Sequence, residues 1–84
     1  MDPTPDEYAA AINAAIGAEI QRRRKALGMS VYALAKAAGD FSDQTILNIE
    51  RGHCPNGCLT GTLARICHGL GTTVTELVAE AEWV

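Results

Sequence analysis

Two short segments in the middle of the chain each follow a serine and end at a glycine. Ser30 and Ser42 are good helix N-caps, because a serine hydroxyl accepts a hydrogen bond from a backbone N–H of the first turn. The segments after them predict helices over residues 31–38 and 43–51. Only the turn 39–41 and the cap Ser42 remain between these helices, which is the outline of a helix-turn-helix.

A longer helix is predicted before this pair. Thr4 and Glu7 match a capping box, and apolar residues at four-residue spacing continue among alanines to Leu27, before Gly28. Gly17 interrupts the pattern, and a glycine costs a helix about 1 kcal/mol relative to alanine. We therefore expect a break or bend near Gly17.

Two further helices are predicted after the pair. Residues 53–57 form a loop by their proline and Asn-Gly content, and a fourth helix follows from about Leu59 to Leu70. Thr73 and Glu76 form a second capping box that opens a short last helix. With only four aromatic residues, the core consists of Ala, Leu and Ile, and the fold class is all-α with five helices.

The length of 84 residues predicts one domain, residues 1–84. We divide it into an N-terminal helical extension (4–15), a helix-turn-helix core (16–78) and a C-terminal tail (79–84). No apolar run is long enough for a membrane span and the first residues do not resemble a signal peptide, so a cytoplasmic protein is expected.

The net charge of −3 is unevenly distributed. All seven basic residues lie between positions 20 and 65, where only three acidic residues occur, so this segment carries a charge of +4. A chain with such segregation can direct a basic face at phosphates in spite of its acidic pI.

The middle of the sequence resembles the helix-turn-helix domains of the lambda-type phage repressors, Cro and their bacterial relatives. The resemblance implies a five-helix domain whose third helix, residues 43–51, lies in the major groove of DNA. The matching residues are Ile16-Gly17, Arg24-Lys25, Leu27-Gly28-Met29-Ser30, Leu34-Ala35, Gly39, Ser42, Thr45-Ile46, Ile49-Glu50-Arg51-Gly52, Leu63, Ile66, Leu70-Gly71, Thr73 and Glu76-Leu77.

Side chains on the outer face of the third helix are the candidate base contacts, because Ile46 and Ile49 face the core. Amides of Gln and Asn match the donor and acceptor of adenine, whereas a carboxylate can only accept, as from cytosine N4. The alternative is a solvated helix face without a reading role. The candidates are Asp43, Gln44, Thr45 and Asn48.

Phosphate contacts are expected at the rim of the helix pair. Many relatives have Gln directly after the position of Ser30, but this chain has Val31, so other groups must compensate. The turn also appears one residue longer than in relatives, since Asp40 and Phe41 stand where one residue is common. The candidates are Ser30, with the amides that start the second helix, and Tyr32, Lys36, Ser42, Arg51 and His53.

Other charged residues are given structural roles. In the family, the positions of Arg24 and Glu50 form a partly buried ion pair between the first and third helices. Arg22, Arg23 and Lys25 are interpreted as a solvated face.

The cysteines do not indicate a cofactor. Cys54 and Cys58, with neighbouring histidines, fit zinc spacings poorly, and a cytoplasmic setting opposes a disulfide between them. Cys67 is expected to be buried as a small hydrophobe. No metal, cofactor or small-molecule substrate is expected, and without a nucleophile and base or a phosphate loop, neither is an enzyme.

The sequence therefore predicts a sequence-specific DNA-binding transcriptional regulator, a repressor that acts as a homodimer on double-stranded DNA. The alternative is a protein-interaction module of the same fold, such as an antitoxin or anti-repressor partner. The dimer surface of the predicted regulator is expected in the stripe of Tyr8, Ile12 and Ile16 with Trp83, unless the two ends of the chain pack on each other.

Overall fold

The computed structural model describes residues 2–53 and 60–81, and within these residues it contains helices and no strand, so the all-α prediction is confirmed. None of these helices is both long and apolar enough to cross a bilayer. The five helices are α1 (Pro5–Ala26), α2 (Val31–Ala37), α3 (Asp43–Glu50), α4 (Thr60–Leu70) and α5 (Val74–Glu80).

The helices begin at the predicted caps. Thr4 Oγ1 accepts from the Glu7 backbone N–H at 3.2 Å, and Glu7 Oε1 accepts from the Thr4 N–H at 2.9 Å, which lowers the pKa of Glu7. Ser30 and Ser42 cap α2 and α3 in the same way, with one hydroxyl bond each to a backbone N–H. Three of the predicted helix starts are thus confirmed.

The second predicted capping box is only half formed. Thr73 caps α5 by accepting from the Glu76 N–H at 3.1 Å. The Glu76 carboxylate, however, accepts from the hydroxyl of Thr72 at 3.0 Å instead of turning back to the Thr73 backbone. The reciprocal bond fails because the neighbouring threonine offers a competing donor.

Glycines end the helices as predicted, with small changes in the bounds. Gly39 and Gly52 adopt φ of +115° and +79°, in the left-handed region that glycine tolerates. Ala38 and Arg51 are the C-caps of α2 and α3, so each helix is one residue shorter than predicted. The predicted start of α4 at Leu59 lies outside the described residues.

Each helix contributes one fully buried aliphatic side chain to the centre of the core. Ile20, Leu34, Ile46, Ile66 and Leu77 have no solvent exposure. A fully buried side chain of this kind stabilises the fold by about 1.5–3 kcal/mol. The core thus packs against the inner face of α3 and leaves the opposite face of this helix uncovered.

The break expected near Gly17 does not occur, because α1 is continuous from Pro5 to Ala26. Gly17 is buried against the carboxyl end of α3. A Cβ at this position would overlap the carbonyl oxygen of Ile49 and lie 2.7 Å from that of Glu50. The glycine therefore serves the close approach of two helices and does not interrupt the helix.

The stripe proposed as a dimer surface is also corrected. Ile16 is buried in the core at 9% exposure, and Ile12 packs against the core, whereas Tyr8 is 47% exposed. Ile16 thus belongs to the domain's own core, whereas Tyr8 remains at the surface. Trp83 lies outside the described residues.

Replacing Gly17 with alanine tests the close approach. Glycine to alanine in a helix ordinarily stabilises, but here the backbone of α3 must move, so we expect the free energy of unfolding to fall by about 1–3 kcal/mol. Gly61→Ala in α4 is the matched control, because a Cβ there meets nothing within 4 Å. It is expected to leave stability unchanged or raise it by up to about 1 kcal/mol. Urea unfolding measures both, and a stabilised Gly17→Ala variant would contradict the account.

Candidate nucleic-acid interface

The turn between α2 and α3 contains two consecutive residues with positive φ, Gly39 and Asp40. Asp40 has φ of +62°, which an aspartate tolerates better than most side chains. Its carboxylate accepts from Lys36 Nζ at 3.1 Å, and the Phe41 N–H donates to the Ala35 carbonyl at 3.1 Å. These bonds fix the start of α3 relative to α2.

The outer face of α3 is polar and accessible. Ile46 and Ile49 are buried, as predicted, while Asp43 and Gln44 are exposed and Asn48 is half-buried. Thus the candidate base-contacting side chains lie together on the face opposite the core.

Two of these side chains are bonded to each other. Gln44 Nε2 donates to Asn48 Oδ1 at 2.8 Å. The bond uses one of two amide hydrogens on Gln44, and it leaves the Gln44 oxygen as an acceptor and the Asn48 amide group as a donor. One turn of α3 therefore presents donors and acceptors in a fixed relative position.

Thr45, the fourth base-contact candidate, is bonded to the phosphate-contact candidate Ser42, the N-cap of α3. Ser42 Oγ accepts from the Thr45 N–H at 3.1 Å and shares a hydrogen bond with the Thr45 hydroxyl at 2.8 Å. Their hydroxyls are thus engaged in capping α3, on its exposed side.

The candidate phosphate contacts fall into two groups. At α2, Ser30 is an exposed cap, and Lys36 Nζ lies 5.5 Å from the centre of the exposed Tyr32 ring. At the end of α3, Arg51 and His53 are exposed, and the His53 N–H donates to the Asn48 carbonyl at 2.8 Å. One group therefore lies along α2 and the other at the end of α3.

A further arginine lies beside the start of α3, and the sequence analysis did not single it out. The Arg65 guanidinium carbon is 6.0 Å from the centre of the Phe41 ring, next to the cap residue Ser42. Arg65 belongs to α4 and reaches this place because α4 packs on α2. The sequence places Arg65 at an exposed position of a predicted helix, and this placement does not specify which residues lie next to it.

A buried ion pair joins α3 to α1. Arg24 Nε donates to Glu50 Oε2 at 2.6 Å and Arg24 Nη2 donates to Glu50 Oε1 at 3.1 Å. Arg24 Nη1 also donates to the Met29 carbonyl at 3.0 Å, so the same side chain holds the turn before α2. Both ionised residues are buried, and the bonds to Glu50 raise the pKa of Arg24.

The other arginines of α1 face a different neighbour. Arg22 and Arg23 both donate hydrogen bonds to Glu19. These bonds lower the pKa of the buried Glu19 carboxyl, and the bond from Arg22 has the larger effect. Arg23 Nη1 also donates to the Thr72 hydroxyl at 3.2 Å. The run is therefore anchored toward the connection between α4 and α5, although Arg22 and Lys25 remain exposed.

The structure describes only some of the residues that were considered for a metal or redox site. Cys67 is buried, and burial raises the pKa of its thiol, as fits a core hydrophobe. Cys54 and Cys58 lie outside the described residues. Among the side chains that are described, no group of three histidine, cysteine or carboxylate residues is close enough to hold a metal ion.

Breaking the Arg24–Glu50 pair tests its role in holding α3. Glu50→Ala leaves a buried guanidinium without its partner, and we expect the free energy of unfolding to fall by about 3 kcal/mol. The double variant Arg24→Met, Glu50→Leu removes both charges and is expected to recover much of that loss. Lys36→Ala, which breaks an exposed pair, is the control and leaves stability nearly unchanged. Thermal and urea unfolding measure all three, and a double variant less stable than Glu50→Ala would refute the assignment.

Comparisons with known proteins agree with this geometry. A family model described as "Helix-turn-helix" matches residues 20–77. The crystal structure of the clp gene regulator ClgR from C. glutamicum is similar, with a TM-score of 0.77 and 30% sequence identity, covering 83% of this chain and 86% of that one. No curated protein sequence matches significantly.

Proposed function

Because the chain belongs to the helix-turn-helix family, we propose that it is a sequence-specific DNA-binding transcriptional regulator that places α3 in the major groove. The observation that carries the proposal is the outer face of α3, where the exposed Gln44 is bonded to the half-buried Asn48. Family members place this helix in the groove, with its first residues nearest the base edges.

The α3 face can read bases by direct hydrogen bonds. Gln44 and Asn48 retain an acceptor and donors, which is the combination that an adenine edge requires at N6 and N7. The exposed Asp43 carboxylate can accept from cytosine N4. Because the bond between Gln44 and Asn48 fixes both amides before binding, less conformational entropy is lost when they meet the bases.

Positive charge at both ends of the helix pair would position the domain on the phosphates. Arg51 follows the carboxyl end of α3, and Lys36 lies on α2 with part of its charge offset by Asp40. To these we add Arg65, which lies by the start of α3. Together they can compensate for the phosphate contact that many relatives make with a glutamine at the position of Val31. Ser30, Tyr32, Ser42 and His53 remain candidates at the same rim.

We further propose that the protein is a repressor, that it acts as a homodimer and that it is located in the cytoplasm. One domain reads only a half-site, and a second copy related by two-fold symmetry doubles the contacted sequence. Occupying the DNA is sufficient for repression, whereas activation requires another contact with the transcription machinery. We propose a role in binding, without catalysis, because the candidate site is the exposed face of a helix.

Removing the amides of α3 tests base reading. Gln44→Ala and Asn48→Ala are each expected to lose about 1–3 kcal/mol of binding to the sequence that the wild type selects from a random DNA pool, with little change on unrelated DNA. Thr75→Ala, an exposed polar residue of α5, is the control and changes neither affinity. Fluorescence anisotropy measures binding, and circular dichroism checks the fold. If both variants keep full discrimination, α3 is not the reader.

Removing Arg51 tests phosphate contact. Arg51→Ala should weaken binding to all DNA sequences alike and lower the slope of log affinity against log salt by about one unit. Arg22→Ala is a matched control because that guanidinium is bonded to Glu19, away from α3. Titrations at several salt concentrations give the slopes, and an equal slope for Arg51→Ala and wild type would place Arg51 outside the interface.

A further inference from the structure

The exposed side of α1 carries a stripe that the DNA-binding face does not use. Its members alternate at spacings of four and three residues, which places them in one line along a helix. All are exposed, and they lie opposite the buried Ile16 and Ile20. We name this stripe the α1 seam; it consists of Glu7, Ala11, Ala14, Ala18, Gln21 and Lys25.

The α1 seam is symmetric about residue 16. If a second α1 is laid antiparallel on it with residue 16 opposite residue 16, Ala14 faces Ala18 of the second copy. Ala11 then faces Gln21 of that copy, and Glu7 faces its Lys25. Each contact occurs twice, as a two-fold axis requires. A stripe with this arrangement is complementary to itself.

Charge favours the antiparallel orientation. The first turn of α1 is acidic, with Asp6 and Glu7, and its last turn is basic, with Arg23, Arg24 and Lys25. Arg24 is buried with Glu50 and Arg23 is bonded to Glu19, so the exposed Lys25 is the cation that the acidic end of the other copy meets in the antiparallel pair. The two helix dipoles also interact favourably in this orientation. A parallel pair would place like charges together at both ends.

The α1 seam is also placed next to the recognition helix. A Cβ on Gly52, directly after α3, would lie 3.0 Å from the Ala14 Cα, so the end of α3 borders the middle of the seam. The three alanines at the centre allow the two helix backbones to approach closely. A pair formed here would therefore fix the position of one α3 relative to the other.

We propose that the α1 seam is the surface through which two copies of this chain pair, with Glu7 of each copy bound to Lys25 of the other. This inference rests on the homodimer of the proposed function and gives it a surface other than the stripe of Tyr8, Ile12 and Ile16. The opposing charges at its ends identify the occupant as a second copy.

Sedimentation without DNA tests the centre of the α1 seam. Ala18→Arg places a charge and a long side chain against Ala14 of the second copy, and dimerisation should weaken by at least about tenfold. Ala9→Arg is the matched control, since Ala9 is exposed on the same helix but half a turn away. A wild type that stays monomeric at high concentration, or two variants that dimerise alike, would overturn the proposal.

Charge exchange tests the orientation. Glu7→Lys and Lys25→Glu each place like charges opposite each other twice, so each variant alone should dimerise about tenfold more weakly. An equimolar mixture of the two variants restores both opposite pairs and should recover dimerisation, and so should the double variant. Because Glu7→Lys also loses half of its capping box, recovery in the mixture separates pairing from helix stability. If neither the mixture nor the double variant dimerises as wild type does, the antiparallel arrangement is overturned.

Binding of each variant to a single DNA half-site distinguishes this proposal from the proposed function. The variants of the α1 seam should bind a half-site with the affinity of wild type, since Gln44 and Asn48 are untouched. Loss of the dimer with half-site binding intact supports the α1 seam. Intact dimers that fail to discriminate DNA would contradict the proposed function alone.

Discussion

The structure depends on the contact between α1 and the carboxyl end of α3. At Gly17 the two backbones approach so closely that a Cβ would overlap a carbonyl oxygen. About two turns further along α1, the bidentate pair of Arg24 and Glu50 joins the same helices. A buried charged pair needs nearly ideal geometry to repay its desolvation. The glycine allows the approach and the ion pair requires it, so the two together fix the position of α3.

The rest of the interface follows from this position. With its inner side held by Ile46, Ile49 and Glu50, α3 exposes the opposite side, and the Gln44–Asn48 bond orders the amides there. The third bond of Arg24, to the Met29 carbonyl, connects the same interaction to the turn from which α2 begins. Both elements of the motif are thus positioned by one side chain.

Much of this fold could be predicted from local chemistry. Caps such as Thr4, Ser30 and Ser42 act within one turn of their own helix, and the glycines after α2 and α3 end their helices by backbone conformation, so the sequence alone specifies them. The family resemblance supplied the face of α3 and the pair of Arg24 and Glu50, which lie 26 residues apart and which no local rule connects.

The errors concern contacts between distant residues. A glycine within a helix is locally a weak point, and only the packing of α3 shows why Gly17 is required. Ile16 could have faced a second copy or the core, because periodicity identifies a stripe but not what covers it. Arg65 beside Phe41 and the Thr72 hydroxyl bonded to Glu76 likewise depend on neighbours that the sequence does not specify.

The central claim is that α3, held by α1, is the element that meets DNA. The most direct test is to follow the backbone amides by nuclear magnetic resonance while DNA of the selected sequence is added to the ¹⁵N-labelled protein. The account predicts that the largest shifts fall on residues 42–53 and on the first turn of α2, with small shifts on α5. Shifts concentrated on α5 and the first turns of α1, with α3 unaffected, would contradict it.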